Sequence, residues 1–200
     1  MSKKEHVLLC ILGRTSCGKD TLVQKLCERT SLTSITSYTT RPRRSNEGDT
    51  HIFSTIEEYE EMQVNEKVAA YTEIAGNIYW TTIDQLYEHS VYIIDYKGIE
   101  TLRQLNLPNI RLVTIFINTP DDVRKERAIN KRGDDRSVFM KRDLAEREQF
   151  RAMLRNADFD YAVSNIDATK AYSVLRWIAT VEGVWKNNLE EETCNVENSN

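Results

Sequence analysis

Residues 13 to 21 read Gly13-Arg14-Thr15-Ser16-Cys17-Gly18-Lys19-Asp20-Thr21 and carry the clearest chemistry in the chain. Two glycines at this spacing, the second followed by lysine, suit a tight loop whose backbone N–H groups converge on phosphate oxygens. Lys19 would reach the β- and γ-phosphates of a nucleoside triphosphate. The helix that follows would add the positive end of its dipole. The chain holds only 7 glycines in 200 residues, so this placing is not a by-product of composition. The position after the lysine, where a hydroxyl for Mg²⁺ is usual, holds Asp20, with Thr21 one place later. A carboxylate there could meet the ion directly or through water. Cys17 reads as a small tolerated loop residue rather than a modifiable thiol.

A second set of phosphate-binding types lies in Ser37-Tyr38-Thr39-Thr40-Arg41-Pro42-Arg43-Arg44-Ser45-Asn46-Glu47. Arg41 and Arg44 are three apart in a hydroxyl-rich loop, and guanidinium groups grip phosphate bidentately. A third cationic stretch, residues 127 to 142, surrounds Gly133-Asp134-Asp135 and reads as a mobile basic flap. The run from Asp134 to Glu148 is equally dense in the acid–base pairs of a salt-bridged surface helix.

These loops need elements to hold them. Short runs apolar on both faces, Val7–Leu12, Val91–Asp95, Ile110–Ile117 and Tyr161–Val163, suit strands of a buried parallel sheet. Helical patterns lie between them, which indicates an α/β fold. Thr119-Pro120-Asp121-Asp122 reads as a helix start with a hydroxyl cap. Ser54-Thr55-Ile56-Glu57 reads as a capping box. Residues 168 to 185 carry Tyr172, Leu175, Ile178, Ala179 and Val184 on one helical side. Residues 34 to 88 break the rhythm with half-polar strands at His51–Phe53, Ala69–Ile74 and Ile78–Thr81 around an Ala75-Gly76-Asn77 turn. They predict a small antiparallel insert. The core then comprises 1–33 and 89–186, and 187–200 reads as a disordered acidic tail.

Composition narrows the class. Forty per cent hydrophobic and 29% charged residues suit one globular domain. A net charge of -4 argues against a dedicated nucleic-acid or membrane-surface binder. No apolar run is long enough for a membrane span, the first residues lack a signal-peptide pattern, and the 4 cysteines show no metal or disulfide spacing. The expectation is a cytoplasmic protein with reduced thiols, working as a monomer or homodimer on small molecules.

Taken together, Gly13–Thr21, Thr39-Thr40-Arg41 with Arg44 and Glu47, Gly76-Asn77-Ile78-Tyr79, and Phe159 to Asn165 resemble the guanylate kinase family of nucleoside monophosphate kinases, over about residues 6 to 185. The resemblance implies a P-loop NTPase three-layer α/β fold with a parallel central sheet, an insert that binds the monophosphate, and a helical lid. It implies transfer from ATP, with Mg²⁺, to GMP or dGMP. By that match Ser37, Arg41, Arg44, Tyr79 and His51 (where a Tyr is usual) would hold the acceptor phosphate, with Glu47 beside them. Thr81 would contact the acceptor base, and Asp95 would be reached by that base or by metal water. Arg132 and Arg142, with Arg136 between them, would clamp the transferring group, and Asn165 would sit near the adenine. Three positions depart from the pattern. Ala70 stands where an acid usually reads guanine, with Glu73 turned to the other face by strand alternation. Trp80 replaces a glycine and Lys97 an amide. A pocket that loses a carboxylate and gains an indole or a cation leaves another nucleotide open as acceptor, and a sugar phosphate remains an alternative. A non-catalytic binding module on this fold is a further alternative, opposed by the intact Gly18-Lys19 pair.

Overall fold

The structure is a computed structural model and describes residues 5–43, 48, 50–74 and 76–186. Arg44, Glu47 and the 187–200 segment, each assigned a part from the sequence, lie outside the described residues. The first sheet has the order β6-β1-β7-β8, from β1 (His6–Leu12), β6 (Val91–Ile93), β7 (Ile110–Asn118) and β8 (Tyr161–Ser164). All its pairings are parallel, so each strand delivers its C-terminal end to the same edge.

Strand alternation divides the core into two layers of side chains. Leu9 and Ile11 of β1, with Val113, Ile115 and Ile117 of β7, pack against α1 (Lys19–Glu28) and α7 (Ala168–Val181). Leu8, Cys10 and Leu12, with Phe116, face the opposite way. They meet α3 (Ile83–Glu88), α4 (Tyr96–Gln104) and α6 (Arg136–Arg155) through Leu86, Ile99, Leu102, Phe150 and Met153. Period two in the strands and 3.6 in the helices together make a helix–sheet–helix sandwich. Full burial of each of these Leu or Ile side chains stabilises the fold by about 1.5–3 kcal/mol.

The second sheet has the order β3-β2-β5-β4, from β2 (Tyr38–Thr39), β3 (Ile52–Phe53), β4 (Val68–Ile74) and β5 (Asn77–Thr82). It is mixed rather than wholly antiparallel. β4, β5 and β2 run antiparallel in turn, but β2 and β3 pair parallel. The connection spanning residues 40–51 is long enough to bring the chain back in the same direction, which a tight hairpin would forbid. Strand β2 itself, two residues long, is an element the sequence pattern does not announce. Gly76 turns the β4–β5 hairpin at φ 75°, a conformation costly for any side chain. Helix α4 packs against β4 and joins the two sheets.

Local chemistry shifts two of the expected helix starts. The capping box of α2 (Ile56–Val64) pairs Thr55 with Glu58, one residue beyond the expected pair, and Ser54 donates to the same Glu58 carboxylate. Helix α5 (Asp121–Glu126) has Pro120 at its cap and no side-chain cap bond. The Thr119 hydroxyl instead donates to the Cys17 carbonyl at 3.0 Å, which ties the end of β7 to the loop after β1. The last helix stops at Val181. Gly183, at φ 72°, lets the Val184 and Trp185 N–H groups fold back onto the Ala179 carbonyl. The basic flap is not one element. A π-helical turn (Arg127–Lys131) and a short loop lead into α6, whose first two turns complete residues 127–142. No helix among the described residues is long and apolar enough to cross a membrane.

Candidate active site

The phosphate loop leaves β1 at Leu12 and enters α1 at Lys19. Ser16 and Gly18 both take positive φ, at 62° and 87°, so the chain curls back on itself between them. Gly18 caps α1 and has no side chain to bond the first helical N–H groups, which leaves them for a ligand. The thiol of Cys17 turns away from the cleft into the core. A Cβ built on Gly13 would come within 2.5 Å of that sulfur, so only glycine fits there. The Cys17 carbonyl is held from behind by Asn165 Nδ2 at 2.7 Å, Thr119 Oγ1 at 3.0 Å and Arg127 Nη1 at 3.3 Å. Asn165 is buried, and its Oδ1 has no hydrogen-bond partner among the described residues.

The front half of the loop is held by the lid side. Thr15 N–H donates to Glu146 Oε2 at 2.6 Å, and Thr15 C=O accepts from Arg124 Nη1 at 3.0 Å. Arg14 and Arg124 both pair with Asp143, at 2.7 and 2.6 Å, and both pair with Asp121. Arg124 is only 1% exposed and Asp143 4%, so this is a buried ion cluster in which each charge has an opposite neighbour. Burial pushes the Glu146 carboxyl up from its ordinary range, opposed by the Thr15 amide and by Lys19, Arg124 and Arg14.

A cavity of about 670 Å³ opens at the C-terminal edge of the parallel sheet and runs under the second sheet. Gly13, Thr15 and Lys19 border it on the loop side; Ser37, His51, Ala70 and Tyr79 on the insert side; Tyr92 and Asp95 beneath; Arg142, Glu146 and Gln149 on α6. Asp95 caps α4, accepting the Gly98 N–H at 2.6 Å. His51 meets the edge of the Tyr79 ring, with centroids 5.5 Å apart. The fold thus gathers eight of the sequence candidates, Gly13, Thr15, Lys19, Ser37, His51, Tyr79, Asp95 and Arg142, around one space.

Other candidates stand elsewhere. Arg132 pairs with Asp134 and donates to Ser16 Oγ at 3.0 Å, which places it over the loop rather than on the cavity wall. Arg136 begins α6 and is exposed. Arg41 lies above the Phe53 ring at 5.6 Å. Thr81 is fully buried, and its hydroxyl donates to Gln85 Oε1 at 2.8 Å behind the cavity wall. Trp80 does not enter the cavity. Its ring stacks on Tyr38 at 5.3 Å and meets Tyr59 edge-on at 5.1 Å, on the outer face of the insert. Ala70 does line the cavity, and Lys97 is exposed on α4.

Sequence reasoning missed Glu146, Asp143, Arg124, Arg127 and Tyr92. Glu146 was legible in part, because it follows Arg142 by four residues and so shares its helical face. Arg124 and Tyr92 had no such signal, since their sites are made by contacts distant in sequence. Asp20 and Thr21 are both exposed at the start of α1, and Asp20 lies 4.0 Å from the Lys19 ammonium. Their hard oxygen donors suit a small divalent cation that keeps water and phosphate ligands.

A parallel three-layer core, a glycine loop opening onto a helix, and a small sheet and lid about one cleft define a P-loop nucleoside monophosphate kinase. The chain belongs to the guanylate kinase family: the family model of that description matches residues 5–180. It is 28% identical over 189 residues to the guanylate kinase of Rhizobium meliloti, covering 90% of this chain and 84% of that one. Against the guanylate kinase of Escherichia coli K12 it is also 28% identical, with 89% of each chain covered. The crystal structure of guanylate kinase from Anaplasma phagocytophilum shares the fold at a TM-score of 0.63 and 20% identity, covering 90% of this chain and 87% of that one.

Proposed function

We propose that the chain transfers the γ-phosphoryl group of ATP to a nucleoside monophosphate, GMP or dGMP, yielding the diphosphate and ADP in the cytoplasm. The observation that carries this reading is the shared cavity. Lys19 of the phosphate loop, Arg142 of the lid helix and the hydroxyl- and imidazole-bearing wall of Ser37, His51 and Tyr79 border one space. Phosphoryl transfer asks for two anionic substrates held in line and for cations on the charge between them. The acceptor phosphate is already an anionic nucleophile, so the site needs no general base.

In this reading Lys19 and the loop amides hold the donor phosphates. Ser37, Tyr79, His51, Arg41 and Arg44 hold the acceptor phosphate, with Glu47 beside them. Arg142 covers the transferring group, with Arg132 above the loop and Arg136 a further lid cation. Asp95 and Thr81 serve the base side, and the unpartnered Oδ1 of Asn165 is an acceptor beside the adenine. The site fits Mg²⁺, held by the ATP phosphates with Asp20 and Thr21. The ion would neutralise charge on the bridging oxygens.

Coupled measurement of ADP release over a panel of nucleoside monophosphates and pentose phosphates tests the proposal. Turnover with GMP or dGMP above the other acceptors is expected, and no ADP with any monophosphate would sink it. Lys19→Ala should lower kcat by about a thousandfold. Near wild-type turnover in that variant would remove the loop from the donor site.

A further inference from the structure

Within the loop the Cys17 amide closes a turn onto the Arg14 carbonyl at 3.1 Å, while the Thr15 amide faces an anion. Thr15 N–H donates to Glu146 Oε2 at 2.6 Å, a short charge-assisted bond. The carboxylate borders the same cavity as Lys19. Its surroundings are those of a bound phosphate oxygen: poorly solvated, yet facing Lys19, Arg14 and Arg124. The rest of the α6 grip does not use loop amides. Asp143, one turn before Glu146, bonds only the guanidinium groups of Arg14, Arg124 and Arg147.

We propose that Glu146 is a built-in stand-in for a donor phosphate, holding the Thr15 amide and giving it up when ATP binds. The inference rests on the reading of Gly13–Thr21 as the donor site. One N–H serves one strong acceptor. A phosphate oxygen arriving at Thr15 would also stand against the Glu146 carboxylate, where like charges at contact repel. The carboxylate must leave for the phosphate to settle. Apparent donor affinity is therefore reduced by the fraction of molecules in which the loop is already filled. Glu146 and Arg142 are one helical turn apart on α6, so this exchange ties donor occupancy to the helix that presents Arg142. The buried Asp143 pairs keep α6 anchored to the loop while Glu146 changes partner. Glu146 is on this account a positioning residue.

The test is calorimetric titration of the full chain with MgATP, using wild type, Glu146→Gln, Glu146→Ala and Lys19→Ala. Glu146→Gln and Glu146→Ala should each bind ATP about tenfold more tightly than wild type. In ¹⁵N-resolved spectra the Thr15 amide of the nucleotide-free wild type should lie downfield and move upfield in Glu146→Gln, a signature that a merely structural side chain would not produce. Unchanged or weaker ATP binding in both Glu146 variants, while wild type binds and Lys19→Ala does not, overturns the inference and leaves the donor reading standing. Absence of ATP binding by the wild type overturns both.

Discussion

Cys17 sits in the middle of the phosphate loop, yet its sulfur is shielded from solvent by the core behind Gly13. Burial pushes its thiol up from the ordinary range, and the nearby Lys19 only partly offsets this. A thiol held this way stays protonated at neutral pH and lacks the thiolate that alkylating reagents attack. Cys27, half-buried on α1, is more open. Treating the native chain with iodoacetamide at about pH 8 should therefore modify Cys27 before Cys17, and Cys17 only on unfolding, read by peptide mass mapping. Equal rates at the two sites would refute the inward placement. The same residue-scale logic explains Gly13: the loop closes because no Cβ separates the backbone from the Cys17 sulfur.

At the scale of elements, β5 shows how one strand serves two purposes. Tyr79 faces the cavity, and Trp80, the next residue, faces Tyr38, Tyr59 and Met62 on the other side. Alternation on a pleated strand makes such neighbours independent. Trp80→Phe should lower stability by about 1–2 kcal/mol through lost packing and the lost Nε1 bond to Met62. It should leave the acceptor KM within about twofold. Urea unfolding and steady-state kinetics check the two halves, and a raised KM without a stability change would put the indole in the cleft. The departure at position 80 thus concerns the insert's own small core. Ala70, by contrast, lines the cavity and presents only a methyl group to it. Strand and helix identity was largely legible because the period-two and period-3.6 patterns record which faces are buried. The parallel β2–β3 pairing was not, since a two-residue strand carries no period.

At the scale of the whole molecule, the cleft exists only because four separated segments converge. The loop after β1, the insert sheet, the stretch from β6 into α4, and α6 each contribute a wall to one cavity. Arg142 is the cation that α6 presents to that wall, so under the proposed function its effect should fall on the transfer step rather than on donor binding. Arg142→Ala is expected to lower kcat by about a hundredfold with the ATP Kd within about threefold, measured by steady-state kinetics beside calorimetry. A loss confined to ATP affinity would assign Arg142 to donor binding instead. The sequence alone determined the glycine loop between β1 and α1, the parallel α/β core and the family, because those depend on local spacing and on periodicity within single elements. Tertiary structure decided which candidate cations border the cleft, where Trp80 points, and that the carboxylate of Glu146 holds the Thr15 amide. Those facts depend on contacts between residues as far apart as 15 and 146. Only the packing of α6 over the end of β1 brings such residues within hydrogen-bonding distance.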